Sequence, residues 1–165
     1  MEIRVYDQKK ATMTVPSVWV QVRSSDNEQS LLVACRERLR ATKSADIKIV
    51  DSKEIPTVFI QDGWFVEDFW KFLKMPDYYR NIVRAYLDTV DEMVPIEDIL
   101  DRYKGIFDSA EQFTENYIAT KMPRLLEEIS GTPLVINWAR TRDNLFNDFE
   151  AKKCGDHVAV FRKEK

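Results

Sequence analysis

The chain holds one histidine, two cysteines, four glycines and six prolines in 165 residues, and each scarcity excludes something. A Ser/His/Asp or Cys/His catalytic site would have to be built on His157. That residue opens the alternating stretch His157–Arg162, where it reads as a strand residue beside a turn. Cys154 and His157 together supply two metal ligands where structural zinc takes four, and Cys35 lies far from both. The cysteines therefore read as reduced thiols, one of them buried. So few glycines and prolines leave no long flexible linker. No G-x-G-x-x-G or P-loop is present, so no nucleotide-binding motif can be named. There is also no apolar run near the roughly 20 residues that span a bilayer. Glu2 and Arg4 follow Met1 without an apolar stretch, so no signal peptide is visible. The expectation is a cytoplasmic protein with no membrane segment, no catalytic residue, no cofactor and no metal site.

Apolar residues make up 44% of the chain and charged residues 32%, an ordinary globular balance for one domain or two or three small lobes. The net charge of −3 is unevenly spread. Residues 1–60 carry ten Lys/Arg and eight Asp/Glu, residues 61–120 six and thirteen, and residues 121–165 nine and seven. Nine acids fall between Asp88 and Glu115: Asp88, Asp91, Glu92, Glu97, Asp98, Asp101, Asp108, Glu111 and Glu115. Only Arg102 and Lys104 oppose them. Such a run is either a solvated helical face or a surface whose carboxylates stand in for phosphates. B-DNA presents one negative charge per roughly 1.7 Å of axis. Carboxylates at one or two per helical turn of about 5.4 Å approach that density over a limited length. An acidic centre repels a nucleic-acid backbone and suits a basic protein surface. The basic ends, with Arg36, Arg38, Arg40 and Lys43, read as a solvated face. Their other readings are pairing with the acidic middle of a second copy, or a nucleic-acid-binding or regulatory module, which no interleaved aromatic favours.

Hydrophobic periodicity divides the chain into three lobes, with strands only in the outer two. Residues 1–61 read as a small α+β lobe. It has strands at 3–6, Val18–Val22, Ala45–Val50 and Thr57–Ile60, and a helix opened by Ser25 and Glu28 that buries Leu32, Cys35 and Leu39. Residues 62–122 read as an acidic helical bundle. Its helices are an aromatic one from Trp64 to Leu73, one opened by Asp77 with Tyr78, Ile82, Tyr86 and Val90 along it, one from Pro95 and one from Ser109. The segment Tyr103–Asp108 reads as a loop around Gly105. Residues 123–165 read as a helix-plus-strand lobe: a short helix at Arg124–Ile129 stopped by Gly131, a helix from Pro133 to about Phe149, and the strand His157–Arg162.

In the segment Tyr103–Tyr117, YKGIFDSAEQFTENY, Asp108 or Ser109 can cap a helix whose Ala110, Phe113 and Tyr117 share one face. The segment resembles the middle of the ArdA family of antirestriction proteins, with Tyr103, Gly105, Phe107, Asp108, Ser109, Glu111, Phe113, Glu115 and Tyr117 carrying the match. The resemblance extends loosely along the chain through Trp19, Ile49-Val50-Asp51, Ile136-Asn137-Trp138, Arg142-Asp143 and Val158–Arg162. It implies an elongated chain of three small lobes, α/β, helical bundle and α/β, that forms a homodimer and mimics bent DNA. It further implies a protein of a mobile element or phage that inhibits a type I restriction-modification enzyme of its bacterial host. The partner-binding residues would be Asp88, Asp91, Glu92, Asp98, Asp101, Asp108, Glu111 and Glu115, and direct binding of nucleic acid by this chain is not expected.

Overall fold

A computed structural model describes residues 1–10 and 16–164. The fold is α+β: among the described residues there are seven α-helices and three small antiparallel sheets, with no barrel. The chain forms two compact units, Met1–Ile96 and Glu97–Lys165, where periodicity suggests three lobes.

The first unit is built on a three-stranded sheet of β1 (Glu2–Asp7), β2 (Val18–Gln21) and β3 (Ile47–Lys53), in the order β2-β1-β3. Alternation puts Ile3 and Val5 of β1 in the core, opposite Val20 of β2 and Ile49 of β3 respectively. Asp7 is buried at the end of the same face, where its Oδ1 accepts from the backbone N–H groups of Lys9 (3.1 Å) and Asp46 (3.2 Å). Those bonds supply the partners that a buried carboxylate requires. Helix α1 (Glu28–Leu39) starts at Asn27, not Ser25. Asn27 and Ser30 cap each other reciprocally, each side chain accepting from the other's backbone N–H at 2.9 Å. Its buried residues are Leu31 and Cys35, one turn apart, and Leu32 stands at the margin.

Burial pushes the Cys35 thiol up to about 12, against the pull of Arg36. The unfolded chain, with its thiol near the usual value of about 8.5, then releases its proton first. Stability from this group is intact below about pH 8 and falls as pH rises from about 9 towards 12. With iodoacetamide near pH 8, Cys154 is expected to react in the folded protein and Cys35 only after unfolding, as read by peptide mass mapping.

After a 3-10 turn at Thr57–Phe59, β4 (Ile60–Gln61) and β5 (Trp64–Phe65) form a hairpin. Asp62 and Gly63 turn it with φ of 51° and 79°, the positive pair of a type I′ turn. The aromatic segment is thus a hairpin followed by α2 (Glu67–Lys74), and not a single helix from Trp64. Phe69, Phe72 and Leu73 of α2 are buried, as are Ile82, Val83, Tyr86 and Leu87 of α3 (Asp77–Leu87). Tyr78, expected on the inner stripe, is exposed.

The second unit takes up α4 (Ile96–Arg102) from its second residue, Glu97, and continues into β6 (Tyr103–Phe107), where a loop is expected. This strand falls within the span read as purely helical. Tyr103 fits the helical stripe of Ile96 and Ile99, and Gly105 masks the strand alternation. The register shifts between Tyr103 and Gly105, a bulge at which Gly105 takes a φ of 141°. There follow α5 (Ala110–Lys121), α6 (Pro123–Ile129), α7 (Trp138–Leu145), β7 (Phe149–Cys154) and β8 (His157–Arg162). The sheet order is β6-β8-β7. The expected helix from Pro133 to Phe149 is shorter at both ends. Val135 is exposed, Asn137 caps α7 by accepting from the Arg140 N–H at 3.0 Å, and Phe149 already belongs to β7. The helix formers of β7, Ala151, Lys152 and Lys153, are overridden by pairing with β8 across the turn at Gly155.

Phe113 is the hub of this unit. Its ring lies 5.1 Å from Phe107, 5.8 Å from Tyr117, 5.9 Å from Phe146 and 5.1 Å from Phe149. Val160 of β8 closes the cluster.

Candidate interaction surface

All nine central acids are exposed. The structure does not gather the eight proposed partner-binding residues into one unit. Asp88, Asp91 and Glu92 belong to the first, and Asp98, Asp101, Asp108, Glu111 and Glu115 to the second. Counted by unit, the charge is close to balanced, with fourteen Lys/Arg against fifteen Asp/Glu in the first and eleven against thirteen in the second. Part of the acidity has a local cause. Glu97 and Asp98 lie in the first turn of α4 and Glu111 in the first turn of α5, where the helix dipole favours negative charge. Asp88 has the opposite setting. It caps the C-terminus of α3, and desolvation by its surroundings raises its carboxyl above the usual range, against the pull of Arg84.

Two of the eight proposed partner-binding acids, Asp108 and Glu111, are engaged by other side chains. Ser109 is the N-cap of α5 and accepts from the Gln112 N–H at 3.2 Å. The Gln112 side chain reaches past it to Asp108, accepting from the Asp108 N–H (2.8 Å) and donating to Asp108 Oδ2 (3.0 Å). Asp108 Oδ1 in turn lies 3.1 Å from Nδ1 of His157. Glu111 pairs with Arg142, whose guanidinium also holds Asp143 at 2.9 Å. Its own backbone N–H and then Arg142 hold the Glu111 carboxyl below the usual range, and the two carboxylates raise Arg142. By contrast, Asp91, Glu92, Asp98, Asp101 and Glu115 make no ion pair among the described residues. These five stand exposed with no opposing charge paired to them among the described residues.

Sequence spacing offers no partner for His157; the structure supplies Asp108, 49 positions away. The pair is largely exposed, with 53% and 72% of the side-chain surface free, and such pairs contribute little to stability. Replacing His157 with alanine is therefore expected to leave the melting temperature within about 2 °C of the parent's, the scale of a few tenths of a kcal/mol in a domain of this size. Among the described residues, no group of three or more His, Cys, Asp or Glu is placed to hold a metal ion, and no helix is long and apolar enough to cross a membrane.

The middle and last segments of the ArdA resemblance meet in the second unit. Strand β6 pairs with β8, Tyr103 packs on Phe161 with ring centroids 5.8 Å apart, and Arg142-Asp143 meets Glu111. Arg38 of α1 is exposed as expected, as are Arg40 and Lys43 beyond its end. Arg36 is half-buried, with an Nε that has no hydrogen-bond partner among the described residues, so it does not belong to a simple solvated face. Comparison with protein-family models, curated proteins and solved structures finds no match.

Proposed function

We propose that the protein is a non-catalytic, ArdA-like inhibitor of a host DNA-binding defence enzyme, with a type I restriction-modification enzyme as the expected target. In this reading it is a homodimer from a mobile element or phage that works in the bacterial cytoplasm. The observation that carries the proposal is the set of exposed carboxylates between Asp91 and Glu115, five of them without an ion pair among the described residues. Free carboxylates on helical and irregular surface can meet the cations of a DNA-binding groove in place of phosphates. Binding then gains from releasing counterions and from steering. The engaged pair Glu111–Arg142 and the Asp108–Gln112–His157 network have a supporting role: they fix the start of α5, which carries Glu115.

The experiment is DNA cleavage by a purified type I restriction enzyme titrated with the protein at low and moderate salt. Inhibition is expected at a stoichiometric excess and is expected to weaken as salt rises. Undiminished cleavage at both salt concentrations would set the proposal aside. A salt-dependent shift of labelled duplex by the protein itself would favour direct DNA binding instead.

A further inference from the structure

The second unit contains a groove of about 580 Å³ that none of the proposed partner-binding carboxylates lines. The volume is that of a small-molecule site, for which the ordinary range is roughly 300–1,000 Å³. Its inner surface is aromatic. Phe113 and Phe149, both nearly fully buried, stand edge to face, and Tyr117 lies 5.5 Å from Phe149 with part of its surface open. Three cations come to the groove from three elements: Lys104 from β6, Lys121 from the last turn of α5 and Arg162 from the end of β8. Asp148 is the one carboxylate in the lining. No ion pair to a described carboxylate holds any of the three cations. The Lys104 ammonium donates to the Asp101 carbonyl oxygen at 3.3 Å, a neutral acceptor that leaves its charge in place.

We propose that this groove binds a small molecule that carries an anionic group on a flat ring system, with a nucleoside monophosphate as the test case. Lys104, Lys121 and Arg162 all line the groove, so an anion seated there meets three positive charges. Arg162 offers the planar fork that grips phosphate or carboxylate oxygens in pairs. A cationic rim beside aromatic side chains is how proteins hold a base and its phosphate without a sequence motif, so the lack of a glycine-rich loop is no obstacle. Asn116 and Thr120, on the α5 side of the lining, can hydrogen-bond to the ring edge. A long polyanion is disfavoured, because Asp98, Asp101 and Glu115 of the same unit stand exposed and would repel its further phosphates. The groove thus suits a ligand of one or two charges.

The test is calorimetric titration of the full chain with adenosine monophosphate, adenosine and inorganic phosphate at low salt, with chemical-shift mapping of the bound site. Adenosine monophosphate is expected to bind and to perturb the amides around Tyr117, Lys121 and Arg162, with each half-molecule binding at least about tenfold more weakly, adenosine for want of the charge-assisted contacts and phosphate for want of the stacked ring. The double change Lys121→Gln with Arg162→Gln is expected to weaken binding by a similar factor. Tyr117→Leu should weaken the nucleotide and leave phosphate unaffected. Both cations are exposed, so the melting temperature should hold. Should the double variant melt early, Lys104→Gln alone provides the same readout. The proposal is overturned by no binding at millimolar nucleotide, by equal binding to the folded charge variants, or by phosphate binding as tightly as the nucleotide. Perturbed amides confined to another surface would overturn it too.

Discussion

Replacing Phe113 with alanine is expected to destabilise the protein by about 3–5 kcal/mol, the range for truncating a fully enclosed aromatic residue. The residue is 4% exposed and its ring touches four others. Those rings come from β6, α5, β7 and the turn after α7, so one truncation removes contacts that hold all these elements together. The cavity cannot close cheaply, because Val160 and Phe149 are fixed by the β8 ladder. In urea the midpoint should fall by more than about 1 M, given a slope of 1–3 kcal/mol per molar. A change below about 1 kcal/mol would mean that Phe113 is not the centre of this core. Tyr78, on the exposed face of α3, is the matched control: its truncation is expected to cost little.

Neutralising Asp91, Glu92, Asp98, Asp101 and Glu115 together, to Asn or Gln, is expected to weaken inhibition on the order of a hundredfold. Each exposed carboxylate meeting a cation contributes roughly 0–1 kcal/mol, so single changes should be nearly silent and the loss should grow with each step. The five together amount to about 2–3 kcal/mol if each contributes near the middle of that range. Salt should narrow the gap between parent and variant, because screening already removes part of what neutralisation removes. Stability is expected to change little, as none of the five is buried or ion-paired among the described residues. Glu111→Gln is a poor member of this series, since it removes one of the two carboxylates on Arg142 and lies in the first turn of α5. Full inhibition by the folded five-fold variant would remove these carboxylates from the account.

How far the fold is legible depends on whether the information is local. The strand His157–Arg162 is read with its observed bounds, because its alternation is uninterrupted. The α6 helix is found within one residue, because Gly131 marks its stop. Strands β6 and β7 escape because their pairing with β8 is a tertiary matter: Gly105 and a bulge hide the pattern of one, and Ala151, Lys152 and Lys153 give the other no strand alternation to read. A signal does exist for the β4–β5 hairpin, since Asp62-Gly63 is a type I′ dipeptide and marks the turn within a run of aromatics. On α1 the cap is Asn27 and not Ser25, and the core takes Leu31 where Leu32 is expected, because both leucines lie at helical spacing from Cys35. The exposure of the nine acids is legible from composition alone. Their division between two units is not, and neither is the engagement of Asp108 and Glu111 by His157 and Arg142, which are 49 and 31 positions away.

The most direct test of the central claim is a displacement titration. A fluorescent duplex carrying the recognition sequence is bound to a type I restriction enzyme, and the protein is added while anisotropy reports the bound duplex. The account predicts that the protein releases the duplex completely in a competitive manner, that salt weakens this release, and that the protein alone leaves the anisotropy of free duplex unchanged. It is contradicted if the duplex stays on the enzyme at a large excess of protein, or if the anisotropy of free duplex rises with added protein.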